Sequence, residues 1–490
     1  GLLVPFSFLL PEGPMAGVLV LPWLGVVACL TAFGLWRLLP RGTADTGEVA
    51  IDAGLLYVPI GGVALLLHRL GLGFLQFGAL LVLLAAMHFH FAGLTLPILS
   101  GVAARTLPDE GRIGAAVDAA LWTIILGPVF ILVGITFSPA VEVVSVGFFT
   151  VAVAAFSLCV LFRGLPGRPR GQQLLVGASA VSVVVSMGFA LAFGLSEFGA
   201  ASGVGSLVGG PLPSFSEMAR YHGRLNALGF ALLGAVGWRL SVPQGPDLRP
   251  RVRFSRLAGD GYVGTKFLDR PDVRGEGEYL GMVDDLRQLG GFDPAAVDPA
   301  VRDVFERSGE ARMAVTPDWP PVLGTLATYV YRPMATRVGQ LVLPVETETD
   351  ITGDAVPVSD AADGREDVRA WTRSYDDGST MYAGVYAVQH GMVTVSFPIP
   401  LGSLTGVLRI EPGEEPGSLH ETSHGDGDAG LYLVVLGVPI RLPIDESFEF
   451  VPDGDGSVTA THTVTLSPPL DAVRLFTLTY GIEFPERPQA

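Results

Sequence analysis

The chain has 490 residues, and its two halves carry opposite character. Residues 1–245 hold 10 acidic residues and 11 arginines with no lysine, for a net charge of +1, while residues 246–490 carry the rest, net −18. A soluble stretch with about 9% charged residues falls far below the usual quarter or so, so the first half reads as a membrane domain. The acidic balance argues against nucleic acid as a partner. The two cysteines, Cys29 and Cys159, both lie in apolar runs, which excludes a disulfide scaffold. Thirty arginines stand against a single lysine, Lys266. Acid excess with almost no lysine points to a halophilic, salt-rich cytoplasm, where net charge maintains solubility under strong screening, or else to a high-GC genome that favours arginine codons.

Residues 1–10, GLLVPFSFLL, are apolar but too short to span. They read as an interfacial segment or the stub of a truncated helix. A cleaved signal peptide is disfavoured, since no basic region or small-residue cleavage site is visible. Seven apolar segments come next, near 15–36, 51–68, 72–104, 113–137, 140–162, 172–195 and 216–240. Each is long enough to cross a hydrocarbon core of roughly 30 Å at about 1.5 Å per residue, with some tilt or snorkelling. The third is over-long, with Pro97 as a candidate kink.

Arginine placement sets the expected orientation. The loops after the first, third, fifth and seventh segments carry Arg37 and Arg41, Arg105 and Arg112, Arg163, Arg168 and Arg170, then Arg239, Arg249, Arg251 and Arg253. The alternate loops are poorer in arginine. The positive-inside rule then places the N-terminus outside and residues 257–490 in the cytoplasm, in a multi-pass protein of the cell membrane.

Ionisable residues within such spans are candidates for function, because burying them in lipid is costly. His88 and His90 lie in MHFHFAGLTLP, and His222 lies in YHGRLNALGF. His88 and His90 are about 200° apart on a helix, so both reach one site only if the helix unwinds locally. His88 shares a face with Thr95, and His222 shares one with Asn226 and Gly229. Beside that face, Gly223, Ala227, Ala231 and Gly234 form a small-residue stripe suited to close packing. A polar pocket lined by His88 or His90, Thr95, His222 and Asn226 is the candidate site. Neutral imidazoles there suit a small solute, an ion or a proton pathway, and His88, His90 and His222 also suit a transition metal or haem iron. Against this stands the reading in which each histidine bonds a neighbouring carbonyl and pins the bundle.

The runs HFHFAGLTLPILSGVAAR and HGRLNALGFALLG resemble the YndJ-like family of uncharacterised multi-pass membrane proteins, over roughly residues 50–242. The resemblance implies an integral membrane protein without an assigned activity, and its motif positions fall on His88, His90, Gly93, Pro97, His222, Gly223, Asn226 and Gly229.

Residues 241–256, SVPQGPDLRPRVRFSR, read as a linker whose arginines suit anionic headgroups. Two helices are expected at 277–290 and 293–309, the second with Asp293 and Asp298 as N-caps. From about 366 the pattern becomes period two, with eight strands in VRAWTRSY, TMYAGVYAV, MVTVSFPI, LTGVLRIE, GLYLVVLG, SFEFVP, VTATHTVTL and VRLFTLTYGIEF. The expected fold is therefore an N-terminal all-α polytopic bundle of about seven transmembrane helices over 1–240. A soluble α+β domain with a mainly antiparallel curved sheet is expected over 257–490, able to hold an apolar ligand. His420-Glu421-Thr422-Ser423-His424 matches the zincin pattern, but its Pro- and Gly-rich flanks predict a solvated loop. Asp426-Gly-Asp428 and Asp453-Gly-Asp455 read as turns. No catalytic motif is present, so a non-enzymatic role is favoured. Three readings stand: a solute- or ion-handling membrane protein with a cytoplasmic binding domain, a haem or metal redox protein, and a structural or partner-recruiting protein. Oligomeric state is not encoded in any pattern found.

Overall fold

The computed structural model describes residues 2–74, 76–202, 213–247, 249–425, 427–468 and 470–485. The chain forms two compact units, Gly1–Leu38 with Asp45–Pro246, and Leu39–Ala44 with Asp247–Ala490.

In the first unit, six helices are long and apolar enough to cross a membrane: Pro14–Arg41, Thr46–Leu70, Ala79–Ala104, Gly111–Phe137, Pro139–Gly164 and Arg170–Ser196. The seventh expected segment also forms a helix, over 215–240. Its first turns, FSEMARYHGR, are polar, so its apolar part is shorter than in the other six and the count of seven is not reached on length and hydropathy. The helix Thr46–Leu70 is the most buried of the six. Asp45 caps its start by accepting from the Glu48 amide, and Gly71 ends it in the left-handed conformation at φ 75°.

Among the π-turns of this unit are those over Phe89–Thr95 and Leu225–Leu232. The first ends just before Pro97, which has no N–H to return to the preceding turn, and Thr95 Oγ1 donates to the His90 carbonyl at 2.8 Å. The second π-turn shifts the packing face of its helix. A Cβ on Gly229 would meet Ser182 Oγ at 2.5 Å and one on Gly234 would meet Ser179 Oγ at 2.7 Å, whereas Gly223 has open space. Of the expected stripe Gly234 lies on the close face and Gly223 does not; that face runs through Gly229, Gly234 and Gly237, because the extra residue in the π-turn rotates the turns after it.

The second unit is built on antiparallel strands. They are β1 Arg312–Asp318, β2 Thr349–Thr352, β3 Ala355–Pro357, β4 Arg369–Tyr375, β5 Thr380–Gln389, β6 Met392–Ile399 and β7 Gly402–Pro412, then β8 Leu419–Thr422, β9 Gly430–Val435, β10 Val438–Arg441, β11 Ile444–Pro452, β12 Val458–Leu466 and β13 Arg474–Glu483. All eight expected strands form, and the rest are additional. The expected curved sheet is instead a closed barrel, in the order β7-β6-β5-β4-β2-β1-β13-β12-β11-β8 and back to β7. Closure depends on β7, whose first half pairs with β9 and whose last residues pair with β8. A closed ring has no free edges, which satisfies the backbone hydrogen bonds that an open sheet would leave exposed.

Strand alternation divides the barrel residues. Ala370, Ala383, Val385 and Ala387 point outward and are covered by Leu257, Val263, Phe267 and Val273. Trp371, Tyr382 and Tyr386 point inward. The helix Pro299–Glu306 closes one end, with Phe305 edge-on to Phe450 at 5.1 Å. Asp298 caps that helix by accepting from the Ala300 amide, and Asp293 caps a single 3-10 turn, Pro294–Ala296. The helix expected at 277–290 does not form beyond the short turn Leu286–Gln288. Met282, Val283, Leu286 and Leu289 are buried as that spacing suggests, but Gly281 lies against the backbone of residues 305–306, where a helix would not fit.

Candidate functional site

The barrel encloses a cavity of about 660 Å³, within the range of small-molecule sites. Its wall is mostly aliphatic and aromatic, with Phe397, Leu404, Leu408, Phe448, Phe450 and Phe476 among the lining side chains. Helix 321–338, which comes after β1, covers the end opposite Pro299–Glu306 and lines the cavity with Leu323, Val330, Tyr331 and Met334. That helix is pinned by Trp319, whose indole donates to the Pro344 carbonyl at 3.1 Å and packs on Phe476 at 4.5 Å.

Polar groups enter this apolar space on one wall. Glu421 on β8 pairs with Phe448 on β11, so both side chains point inward, and Glu446 lies two residues before Phe448 on the same face. His462 on β12 pairs with Phe448 and stacks flat on its ring, centroids 3.9 Å apart. His462 Nε2 lies 3.2 Å from Glu446 Oε2. Burial, with Glu446 as a second negative neighbour, pushes the Glu421 carboxyl up to about 8. With its carboxyl raised to about 8, Glu421 keeps its proton near neutral pH and so has a hydrogen to offer a ligand, while Glu446 and His462 form an acid–imidazole pair beside it. Further along the wall, Arg373 sits over the Trp371 ring at 3.9 Å among Tyr382, Tyr386 and Tyr480, and burial lowers it to about 10. An apolar chamber with one polar wall suits an amphiphile: hydrocarbon fills the space and a head group meets Glu421, Glu446 and His462.

The zincin-like run is neither a helix nor a solvated loop. His420–Thr422 belongs to β8, and Glu421 is buried facing the cavity. Alternation on a strand puts His420 and Glu421 on opposite faces. Asp453-Gly-Asp455 forms the β11–β12 turn as expected, with Asp453 and Asp455 both accepting from Ser457. Of the other acidic turn, Asp426 lies outside the described residues.

In the membrane unit the expected site residues divide. His88 and His222 stack, with centroids 6.1 Å apart. His222 Nδ1 bonds the Ser186 carbonyl at 2.9 Å and its Nε2 accepts from Asn226 Nδ2 at 3.0 Å. His88 Nδ1 bonds the Leu84 carbonyl. His90 turns elsewhere: its Nε2 accepts from the Trp23 indole at 2.9 Å and its Nδ1 donates to the Ala86 carbonyl at 2.7 Å. Thr95 bonds the backbone of its own helix. His88, His90 and His222 thus do not form one ligand set. Among the described residues no group of three or more His, Cys, Asp or Glu is arranged to hold a metal ion.

A second polar cluster escapes the sequence reading. Glu48 and Asp52, four apart on Thr46–Leu70, are fully buried. Arg37 Nη2 meets Glu48 Oε2 at 2.6 Å and Arg37 Nε meets Asp52 Oδ1 at 2.6 Å. Arg105 Nε meets Glu48 Oε1 at 2.6 Å. Arg37 and Arg105 read as loop charges when the second span begins at Ile51, as its apolar run suggests. The available signal is two carboxylates one helical turn apart beside two span-ending arginines.

The family model described as YndJ-like protein matches residues 1–230. The uncharacterized membrane protein YndJ of Bacillus subtilis (strain 168) is 26% identical over 454 residues, covering 90% of this chain and 79% of that protein. The similarity begins earlier than the motifs suggest, and the alignment with the Bacillus protein continues through most of the second half. No solved structure matches.

Proposed function

We propose that this chain, whose residues 1–230 match the YndJ-like family model, acts as a membrane-held receptor for an apolar small molecule, bound inside its C-terminal barrel. The observation that carries this reading is the 660 Å³ apolar cavity with Glu421, Glu446 and His462 on one wall. A barrel folded for stability alone would fill that volume with side chains, since interiors pack densely and voids are costly. The ligand has a hydrocarbon body and a head group that donates and accepts hydrogen bonds, or carries a positive charge that faces Glu446.

The membrane unit supports the solute-handling side of this function. His222, held by Ser186 and Asn226 and stacked on His88, is a polar site between helices. We infer that helix 215–240 is a seventh crossing: Arg239 stands at its end, and Gly229, Gly234 and Gly237 seat it tightly on the helix Arg170–Ser202. With the arginine-rich loops inside, the N-terminus lies outside and the barrel lies in the cytoplasm. Labelling of single cysteines in sealed cells checks this orientation; a reagent that cannot cross the membrane should leave an Asp455→Cys variant unlabelled.

The test of binding uses the full chain in detergent and an environment-sensitive apolar fluorophore. Saturable binding is expected, and Ala460→Phe, which adds a ring to the cavity wall, should abolish it without unfolding the barrel. Binding that Ala460→Phe leaves unchanged would place the fluorophore elsewhere and remove the support for a receptor.

A further inference from the structure

The barrel has two unlike ends, and the strand register tells them apart. β1 ends where β13 begins, with Asp318 opposite Thr477. The β4–β5, β6–β7, β9–β10 and β12–β13 turns fall at that same end, as does helix 321–338. The β5–β6, β7–β8 and β11–β12 turns fall at the other. The second set is polar and acidic, with Glu414, Glu415, Asp453 and Asp455.

The first end carries Asp376 and Asp377 in its β4–β5 turn and Asp471 in its β12–β13 turn, and the rest of it is apolar and exposed. Helix 321–338 presents Val322 (74% exposed), Leu326, Tyr329 (78%), Val330 and Met334 to the outside. Leu401 (70%) and Leu436 (80%) form the tips of the β6–β7 and β9–β10 turns, and the Leu436 amide bonds the Leu401 carbonyl at 3.2 Å. Apart from Tyr262 and Leu280, the large apolar side chains exposed among the described residues of 249–485 all fall at this end.

Two further observations indicate what covers this surface. Leu401 and Leu436 hold φ values of 67° and 50°, a backbone region where glycine or asparagine is the ordinary choice. Leucine at both tips accepts strain in order to project an apolar side chain outward. Charge provides the second. In a half-chain of net charge −18, residues 319–345 contain no acidic residue and carry Arg332 and Arg337, both exposed. Apolar and aromatic side chains with arginines, in a segment cleared of acids, match an anionic lipid interface and not another copy of this acidic domain. The barrel is covalently joined to a membrane-spanning unit, so its effective concentration at a bilayer is high.

We propose that this end of the barrel docks on the bilayer, inserting the exposed face of helix 321–338 and the leucines at 401 and 436 into the interface. The same helix lines the cavity through Leu323, Val330, Tyr331 and Met334. The docked rim is thus the mouth, and the ligand class is a lipid drawn from the leaflet beneath it. The docking stands on the rim alone; the ligand class rests on the receptor function proposed above.

Photo-cross-linking of the unsubstituted full chain in nanodiscs tests both. The probe is a phospholipid with a diazirine on its acyl chain, in an anionic bilayer, with adducts located by peptide mapping. Docking predicts adducts on Tyr329, Leu401 and Leu436, with none on the turns at 413–417 and 453–456. Leu401→Asp with Leu436→Asp should lower the rim adducts several-fold. Adducts on inner residues such as Phe448 and Phe450, together with the rim, establish the lipid as ligand. Adducts on the rim without the interior keep the docking and overturn the receptor reading. Adducts on the interior without the rim keep a receptor and overturn the docking, as does a rim covered by a second copy of the chain and unlabelled by lipid.

Discussion

Two clusters of buried charge, one in each half of the molecule, are built in opposite ways. In the membrane unit, Glu48 and Asp52 are matched by Arg37 and Arg105 at 2.6 Å, so each charge of this cluster meets its opposite. In the barrel, Glu421 and Glu446 share one wall of an open cavity, and the counterpart of Glu446 is an imidazole at 3.2 Å. The first arrangement is closed and holds helices together. The second leaves polar capacity facing free space, which is how a binding site differs from a structural pair.

Cutting the closed network should have the largest effect. Arg37→Ala leaves Glu48 and Asp52 facing one cation fewer, and is expected to destabilise the membrane unit by roughly 3–5 kcal/mol. Thermal unfolding in detergent should show a marked fall in midpoint; a midpoint within error of wild type would mean that the network adds nothing.

The barrel carboxylate should respond in the reverse sense. The Glu421 carboxyl lies at about 8 in the folded protein against an ordinary 4.5. A folded value raised above the unfolded one gives stability that is complete below pH 4.5 and is lost progressively as pH rises towards 8. Glu421→Gln removes this slope. The variant should match wild type near pH 4.5 and exceed it near pH 8 by on the order of 4 kcal/mol. Parallel stability profiles for the two proteins would show that Glu421 is not held protonated.

A third test returns to the open space itself. Ala460→Phe is expected to weaken probe binding at least about tenfold, equivalent to about 1.4 kcal/mol, while Phe448→Leu, which enlarges the cavity, should retain it. The smallest effect concerns the barrel floor. Asp298→Ala loses the cap of Pro299–Glu306 and should cost about 1 kcal/mol in a denaturant titration, with binding unchanged.

Much of the fold is legible in the chain itself, for identifiable reasons. The strands around Val385, Val407 and Val464 alternate at period two between turn residues, a local signal that needs no partner. Closure into a barrel is not legible, because it depends on β7 pairing with β8 across a Pro- and Gly-rich turn, and β8 is only Leu419–Thr422. Those same flanks make Glu421 look solvated. Its burial comes from β7 and β11 on either side, which no local pattern records. In the membrane unit, His88 and His222 stand out because histidine in an apolar run is costly, and the two rings do meet. His90 parts from them, and its partner, Trp23, lies 67 residues away in sequence. Glu48 escapes notice because hydropathy starts its span three residues later, at Ile51, and a carboxylate outside a span reads as solvated.

The most direct test of the account is a high-resolution cryo-EM map of the full chain purified in mild detergent from its own membranes. A bound amphiphile predicts elongated density inside the barrel, running along Phe448 and Phe450 with one end against Glu446 and His462. A cavity holding only ordered water, or one collapsed onto its own side chains, would contradict it.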